Sequence, residues 1–198
     1  MKKLNYPFDE KQIRALKVGD MVMISGKLFT GRDAVHKYLH EGGKSPVNLK
    51  NQIIYHCGPV VLEKGGKYEV MAAGPTTSIR EEPYQWEVMR DHGIVGVIGK
   101  GGMGPKTLEG CRKYGCVYFH AIGGAAQVLA EKIKSVDDVH LKEKFGSPEA
   151  IWELTVEDFP VVVTMDSHGG SLHSVVEGES TKALAGELKK KKPTAKKK

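Results

Sequence analysis

The sequence is poor in cysteine and has no long apolar run. Its three cysteines, Cys57, Cys111 and Cys116, are an odd set and do not make a disulfide framework. Cys111 and Cys116 have the C-x4-C spacing that opens one iron–sulfur motif, but the C-x2-C that should follow is absent. They read as buried or incidental thiols rather than metal ligands. No apolar stretch approaches the roughly 20 residues that cross a bilayer. The first ten residues, Met1-Lys-Lys-Leu-Asn-Tyr-Pro-Phe-Asp-Glu, lack the apolar core of a signal peptide. The expectation is a soluble, cytoplasmic protein without a membrane partner.

Acid is missing from one end only. The net charge is +6, yet the last ten residues hold seven lysines and no acid, and the other 188 carry 23 basic against 24 acidic groups. The body, residues 1–186, is therefore a nearly neutral domain, and residues 187–198 are expected to be a disordered Lys-rich tail. A nucleic-acid role would rest on that tail alone, through salt-sensitive contacts, and is not favoured.

What is present is glycine at regular places. Residues 17–30 read as two short strands around Ser25-Gly26. Thr30 with Asp33 resembles a capping box for a helix that Gly42-Gly43 ends, and residues 52–56 form a short apolar strand. Then a strand, a glycine loop and a helix recur three times. The strands are Tyr68–Ala73, Ile94–Ile98 and Cys116–Ile122; the loops are Gly74–Ser78, Gly99–Gly104 and Gly123-Gly124. The helices run Ile79–Asp91, from Pro105 to Gly115, and Ala125–Lys134. Such units imply parallel strands joined by crossovers. Residues 151–177 return to strand. The fold class expected is α/β with an added β layer.

In such sheets ligands gather beyond the carboxyl ends of the strands. The three loops each precede a helix N-terminus, which favours an anion. Thr76, Thr77 and Ser78 add hydroxyls, and Arg32, Arg80 and Lys100 add charge suited to two carboxylates. A small dianion is the ligand these residues suggest. Ser78-x-x-Glu81 is also an ordinary capping box. Gly99-x-Gly101-x-x-Gly104 matches a dinucleotide fingerprint, but the next strand ends in His120-Ala121 without an acid for a ribose. Pro105 likewise breaks the phosphate-loop pattern. Asp166-Ser-His168 lacks a Gly-x-Ser-x-Gly context or a metal-spaced histidine, so it reads as a turn. His36 and His40, spaced i, i+4, read as surface residues.

The segments Gly31-Arg-Asp-Ala-Val-His, Tyr55-His-Cys-Gly-Pro-Val, Ala73-Gly-Pro-Thr-Thr-Ser-Ile-Arg and Val97-Ile-Gly-Lys-Gly-Gly-Met carry a resemblance. Pro148-Glu-Ala-Ile-Trp, Glu157-Asp-Phe-Pro and Asp166-Ser-His-Gly-Gly-Ser-Leu extend it. In this order they resemble the β subunit, or C-terminal domain, of class I fumarate hydratases, a family shared with tartrate dehydratase β subunits. The resemblance implies a three-layer β/β/α swivelling domain with a largely parallel central sheet. It implies a 4Fe–4S cluster ligated by an α subunit and not by this chain, and an α2β2 assembly active only when complete. The reaction implied is interconversion of fumarate and (S)-malate, with the α subunit supplying the acid for the leaving hydroxyl. Thr76 matches the base that takes the C3 proton. Arg32, Thr77, Arg80 and Lys100 match substrate contacts. Ser78-Ile79 departs mildly from the family pattern and bears on substrate identity. A tartrate dehydratase subunit and a non-catalytic dicarboxylate-binding module are the alternatives.

Overall fold

Apolar residues that alternate along each strand are sent to two sides of one sheet, and this fixes where the loops end up. The computed structural model describes residues 1–190. The chain begins with β1 (Lys2–Asn5), α1 (Glu10–Arg14), β2 (Met21–Thr30), α2 (Asp33–His40) and β3 (Ile53–Tyr55). A hairpin of β4 (Val60–Lys64) and β5 (Lys67–Ala72) follows, then a 3-10 turn at Ser78–Glu81 and α3 (Gln85–His92). Next come β6 (Gly96–Gly99), α4 (Pro105–Tyr114), β7 (Val117–His120) and α5 (Ala126–Ala130). The last elements are β8 (Ile133–His140), α6 (Lys142–Phe145), β9 (Ile151–Met165) and α7 (Leu172–Lys190).

Seven strands make one sheet in the order β1-β2-β3-β6-β7-β9-β8, and β2 pairs with β9 as well. The first five run parallel to their neighbours. β9 is antiparallel to β7, β8 and β2, so β2, β3, β6, β7 and β9 close into a ring. The protein is mixed α/β. The parallel order expected of the central sheet covers β1 to β7. The sheet as a whole is mixed because β9, fifteen residues long, pairs with β2 from Met21↔Val162 to Phe29↔Glu153.

Alternation produces two cores. Ile53, Tyr55, Ile98, Val117 and Phe119 face one, with Phe159 and Trp152. Their neighbours Ile54, Val97 and Tyr118 face the other, under Val35 and Leu39 of α2, Val88 and Met89 of α3 and Cys111 of α4. β3 is buried at all three residues and β6 at all four, as expected of parallel strands covered on both faces.

Several expectations are corrected. Residues 21–30 are one strand, bent by a register shift between Ile24 and Gly26. Gly26 has φ +119°, and a Cβ there would lie 2.2 Å from Tyr6 Cβ, so only glycine fits. Thr30 caps nothing: its hydroxyl donates to Ala150 O at 3.0 Å and accepts from Trp152 N at 2.9 Å. The expected helix at 79–91 is split into a 3-10 turn and α3, because Pro83 has no N–H to continue the hydrogen-bond ladder. β5 lies in the separate hairpin rather than in the main sheet, so only the units carrying β6 and β7 belong to the parallel array. The expected helix at 125–134 ends at Ala130, and Ile133 opens β8, whose Asp and Lys residues hide its alternation. Residues 187–190 are helical, in α7. The remainder of the expected tail, 191–198, lies outside the described residues. Among the described residues no helix is long and apolar enough to cross a membrane.

Candidate active site

The loop Gly74–Ser78 follows the hairpin, not a sheet strand, and is stitched onto the carboxyl ends of β3 and β6 by its backbone. Thr76 N donates to His56 O at 2.7 Å, and Ser78 N to Lys100 O at 3.1 Å. Lys100 N donates to Thr76 O at 3.3 Å, and Thr77 bridges Lys100 in parallel fashion. Two of the predicted loops are thus one structure. The third joins through Lys100, whose Cδ would lie 3.6 Å from a Cβ on Gly123.

A buried polar spine holds this rim in place. His36 Nδ1 lies 3.0 Å from Arg32 O, a carbonyl that can only accept, so Nδ1 carries the proton. His56 Nε2 lies 2.9 Å from Gln85 Oε1 and Nδ1 lies 2.8 Å from Ser78 Oγ. The amide oxygen accepts, which makes Nε2 the donor and Nδ1 the acceptor from Ser78; these tautomers are assigned from partners. Tyr118 then donates to Ser78 Oγ at 2.9 Å. The two imidazoles meet edge to face with centroids 4.9 Å apart. Burial holds both neutral, well below the usual value for His56. His36 is therefore a core residue and not a surface one, while exposed His40 pairs with Glu87. Ser78 belongs to the spine, is fully buried, and makes neither a cap nor a substrate contact.

On the solvent side of this spine stand the charges. Arg80 Nη2 donates to Thr76 Oγ1 at 3.0 Å and lies 3.0 Å from Asp33 Oδ2. Asp33 follows Arg32, whose Nε is 3.2 Å from Glu149 Oε1. Thr76 is half-buried and Thr77 and Arg80 are exposed. All five predicted residues, Arg32, Thr76, Thr77, Arg80 and Lys100, thus sit on the loops at one end of the ring. Direct side-chain contact is made by Thr76 and Arg80.

The N-termini of α4 and α2 are already occupied by acidic side chains. The Glu82 carboxylate accepts from Gly104 N at 2.8 Å, Lys106 N at 2.9 Å, Thr107 N at 3.3 Å and the Thr107 hydroxyl at 2.5 Å. Glu149 Oε2 accepts from Ala34 N at 3.0 Å at the start of α2. An external phosphate at α4 would have to displace Glu82, so the nucleotide reading fails and the cations alone define the anion site. Glu82→Ala frees three N–H groups and one hydroxyl. It is expected to cost about 1–3 kcal/mol, measured by urea unfolding.

Sequence reasoning missed Asp33, His56, Ser78, Glu81, Gln85 and Tyr118 as parts of one assembly. Glu81 was legible only as part of a cap, and Ser78 as a cap or an anion-site hydroxyl. Glu81 is fully buried, and neither carboxyl oxygen has a hydrogen-bond partner. Burial, and then the charge and proximity of Asp33, push its carboxyl up to about 8. Because the folded value exceeds the ordinary 4.5, this group lowers stability progressively as pH rises from about 4.5 to about 8.

The thiols do not suit a metal. All three cysteines are fully buried, and burial pushes Cys57 up to about 12 and raises Cys116. One cluster of possible ligands lies elsewhere, at Asp138, His140 and Glu153. There His140 Nε2 is 2.8 Å from Glu153 Oε1, and Lys27 Nζ is 2.8 Å from Oε2, so the Glu153 carboxylate is already engaged by side chains on β8 and β2. Asp166, at the far end of β9, accepts from Val18 N, His168 N and Gly170 N at 2.8–3.0 Å. Burial opposes its charge, but those donors outweigh it and hold the carboxyl low. That segment is a turn, as its sequence suggested.

The chain is thus a mixed α/β domain that presents three cations and a guanidinium-bound threonine hydroxyl on one rim. The model of the family described as Fumarase C-terminus matches residues 2–176, and the chain belongs to that family. It is 58% identical over 183 residues to a Geobacillus stearothermophilus protein provisionally named fumarate hydratase class I, covering 92% of this chain and 35% of that protein. It therefore spans about a third of that relative's length. It is 39% identical over 181 residues to a Methanocaldococcus jannaschii protein provisionally named L(+)-tartrate dehydratase subunit beta, covering 87% of this chain and 93% of that one. With the L(+)-tartrate dehydratase subunit beta of Escherichia coli K12 it shares 38% identity over 175 residues, 87% of each chain.

Proposed function

We propose that this chain is the β subunit of a two-subunit class I fumarate hydratase, a hydro-lyase interconverting fumarate and (S)-malate. The observation that carries the reading is the Arg80 Nη2 to Thr76 Oγ1 contact of 3.0 Å. A threonine hydroxyl is a poor base, and a guanidinium donating to its oxygen stabilises the alkoxide it must become. A module that only binds diacids has no use for that arrangement. Arg32, Thr77, Arg80 and Lys100 hold the two carboxylates, with the arginines suited to bidentate contact. Thr76 Oγ1 takes the C3 proton of malate in the dehydration direction and returns it in hydration.

Residues 1–186 act as the three-layer β/β/α swivelling domain that closes over the partner. The ring, the hairpin and the helices supply the layers. The three thiols are fully buried, and burial raises Cys57 and Cys116, so a 4Fe–4S cluster is assigned to the α subunit. When bound there it supplies a Lewis acid for the substrate hydroxyl. Coverage by a partner also suits Ile79 and Ile122 beside the charged loops, which are 50% and 62% exposed. An α2β2 assembly follows the family resemblance.

The higher identity to the fumarate hydratase relative favours fumarate. The near full-length match to tartrate dehydratase β subunits supports the second reading, in which the same chemistry acts on tartrate. Steady-state assays of the cluster-loaded complex with fumarate, mesaconate and tartrate side by side decide between them. Fumarate is expected to give the highest kcat/KM, and a preference for tartrate would reverse the assignment. Arg80→Ala is expected to lower kcat/KM by about 10- to 150-fold, since bonds to charged groups contribute about 1.5–3 kcal/mol. The loss should appear in both KM and kcat; unchanged kinetics would remove Arg80 from the site.

A further inference from the structure

Glu81 has no place in the chemistry so far, yet its side chain is the buried carboxyl nearest to it. It is fully buried at the root of the 3-10 turn that carries Arg80, with both oxygens unpartnered. The charged group that acts on it most strongly is Asp33 on α2, and Asp33 Oδ2 lies 3.0 Å from the same Arg80 nitrogen that binds Thr76. The side chains therefore line up as Glu81, Asp33, Arg80, Thr76.

A buried carboxyl beside a part-exposed, Arg80-paired one ionises only at a cost, so Glu81 keeps the proton. We propose that Glu81 is a positioning residue of the dicarboxylate site, whose proton, shared with Asp33, keeps Asp33 and Arg80 in register with Thr76 and keeps the site cationic enough to bind a dianion. With Glu81 neutral, the formal charge of Glu81, Asp33 and Arg80 sums to zero, and Arg32 and Lys100 are left to draw the substrate. When Glu81 ionises, that trio becomes −1, the buried charge competes for Arg80, and a dianion is opposed.

The surrounding groups set the direction. Asp33 raises the Glu81 carboxyl and Arg80 lowers it, with burial as the largest effect. Tyr118, on β7, is itself raised mainly by burial and in part by Glu81. His36 on α2 and His56 after β3 are held neutral by burial and add no compensating charge. Ionisation occurs as pH rises through about 8, so dianion binding weakens on the alkaline side.

This inference rests on the dicarboxylate reading, and two measurements separate their failures. The first follows the Glu81 carboxyl by carbon NMR in the full chain, with and without Asp33→Asn. A midpoint near 8 that falls in Asp33→Asn is expected. The second measures KM for fumarate against pH in the loaded complex. In the wild type KM should climb about tenfold per pH unit above the midpoint, as for a single proton. Glu81→Gln, which keeps a donor for Asp33 and cannot ionise, should abolish the climb. Glu81→Leu should lower kcat/KM at every pH, and Gln in its place should rescue it. A Glu81 midpoint near 4.5 in an active complex, or an alkaline climb that persists in Glu81→Gln, overturns the proposal and leaves the site reading standing. A complex that hydrates no diacid while Glu81 still titrates near 8 overturns both the site reading and the role given to Glu81 in it.

Discussion

Thr76→Ala lowers kcat of the assembled, cluster-loaded complex by about 10²- to 10⁴-fold, the range that one well-placed acid or base contributes. The prediction is sharp because the Thr76 hydroxyl has a single recorded partner, Arg80, while its backbone does the structural work. The N–H to His56 O and the carbonyl accepting from Lys100 N survive the substitution. The variant should therefore melt like the wild type, associate with the partner and show a modest change in KM. Thr76→Ser, which restores a hydroxyl at the same Cβ, should recover much of the rate. Turnover by Thr76→Ala within about threefold of wild type would remove it as the base.

The second large effect is on stability. Gly99→Ala places a Cβ 1.8 Å from Ser78 Oγ and 2.9 Å from the Tyr118 hydroxyl. Ser78 has nowhere to retreat, because its N–H is held by Lys100 O and its Oγ lies between His56 and Tyr118. Overpacking costs about 1–3 kcal/mol. Each buried polar group stripped of its partner adds about 1–3 kcal/mol. The sum is a large fraction of a total stability of about 5–15 kcal/mol. In a chain of this length each kcal/mol lowers Tm by about 2–4 °C. Removing the clashing oxygen in Gly99→Ala/Ser78→Ala should return part of the loss, a coupling that a double-mutant cycle reads directly. A Gly99→Ala chain that melts with the wild type would mean the spine does not hold the loops.

The same residues show what could be read in the sequence and what could not. The strands at Ile53–Tyr55, Gly96–Gly99 and Val117–His120 were legible because short apolar runs ended in glycine. The gathering of Thr76, Arg80 and Lys100 was expected from a topology only partly right: Lys100 follows β6, whereas Thr76 and Arg80 follow the separate hairpin and reach the site through backbone bonds to His56 and Lys100. Ring closure was not legible, because a fifteen-residue strand that pairs on two sides carries no mark of its second partner. Ser78 and Glu81 fit a capping box in spacing, and Thr30 with Asp33 did too, yet neither pair caps a helix. In each case a partner distant in sequence claimed the hydroxyl: Tyr118 and His56 for Ser78, Ala150 and Trp152 for Thr30. Local patterns cannot anticipate that competition. At α4 the anion preference of a helix N-terminus was sound physics applied to groups that Glu82 already occupies.

The first tail lysines lie on α7 and the family match ends at residue 176, whereas the cations proposed to hold the substrate are Arg32, Arg80 and Lys100. The most direct test of the account is complementation. This chain is titrated anaerobically into the proposed cluster-bearing α subunit while fumarate consumption is followed. The account predicts hydration that appears only with the chain present and saturates at one chain per partner. A saturated, cluster-loaded complex that turns over no four-carbon diacid would contradict it.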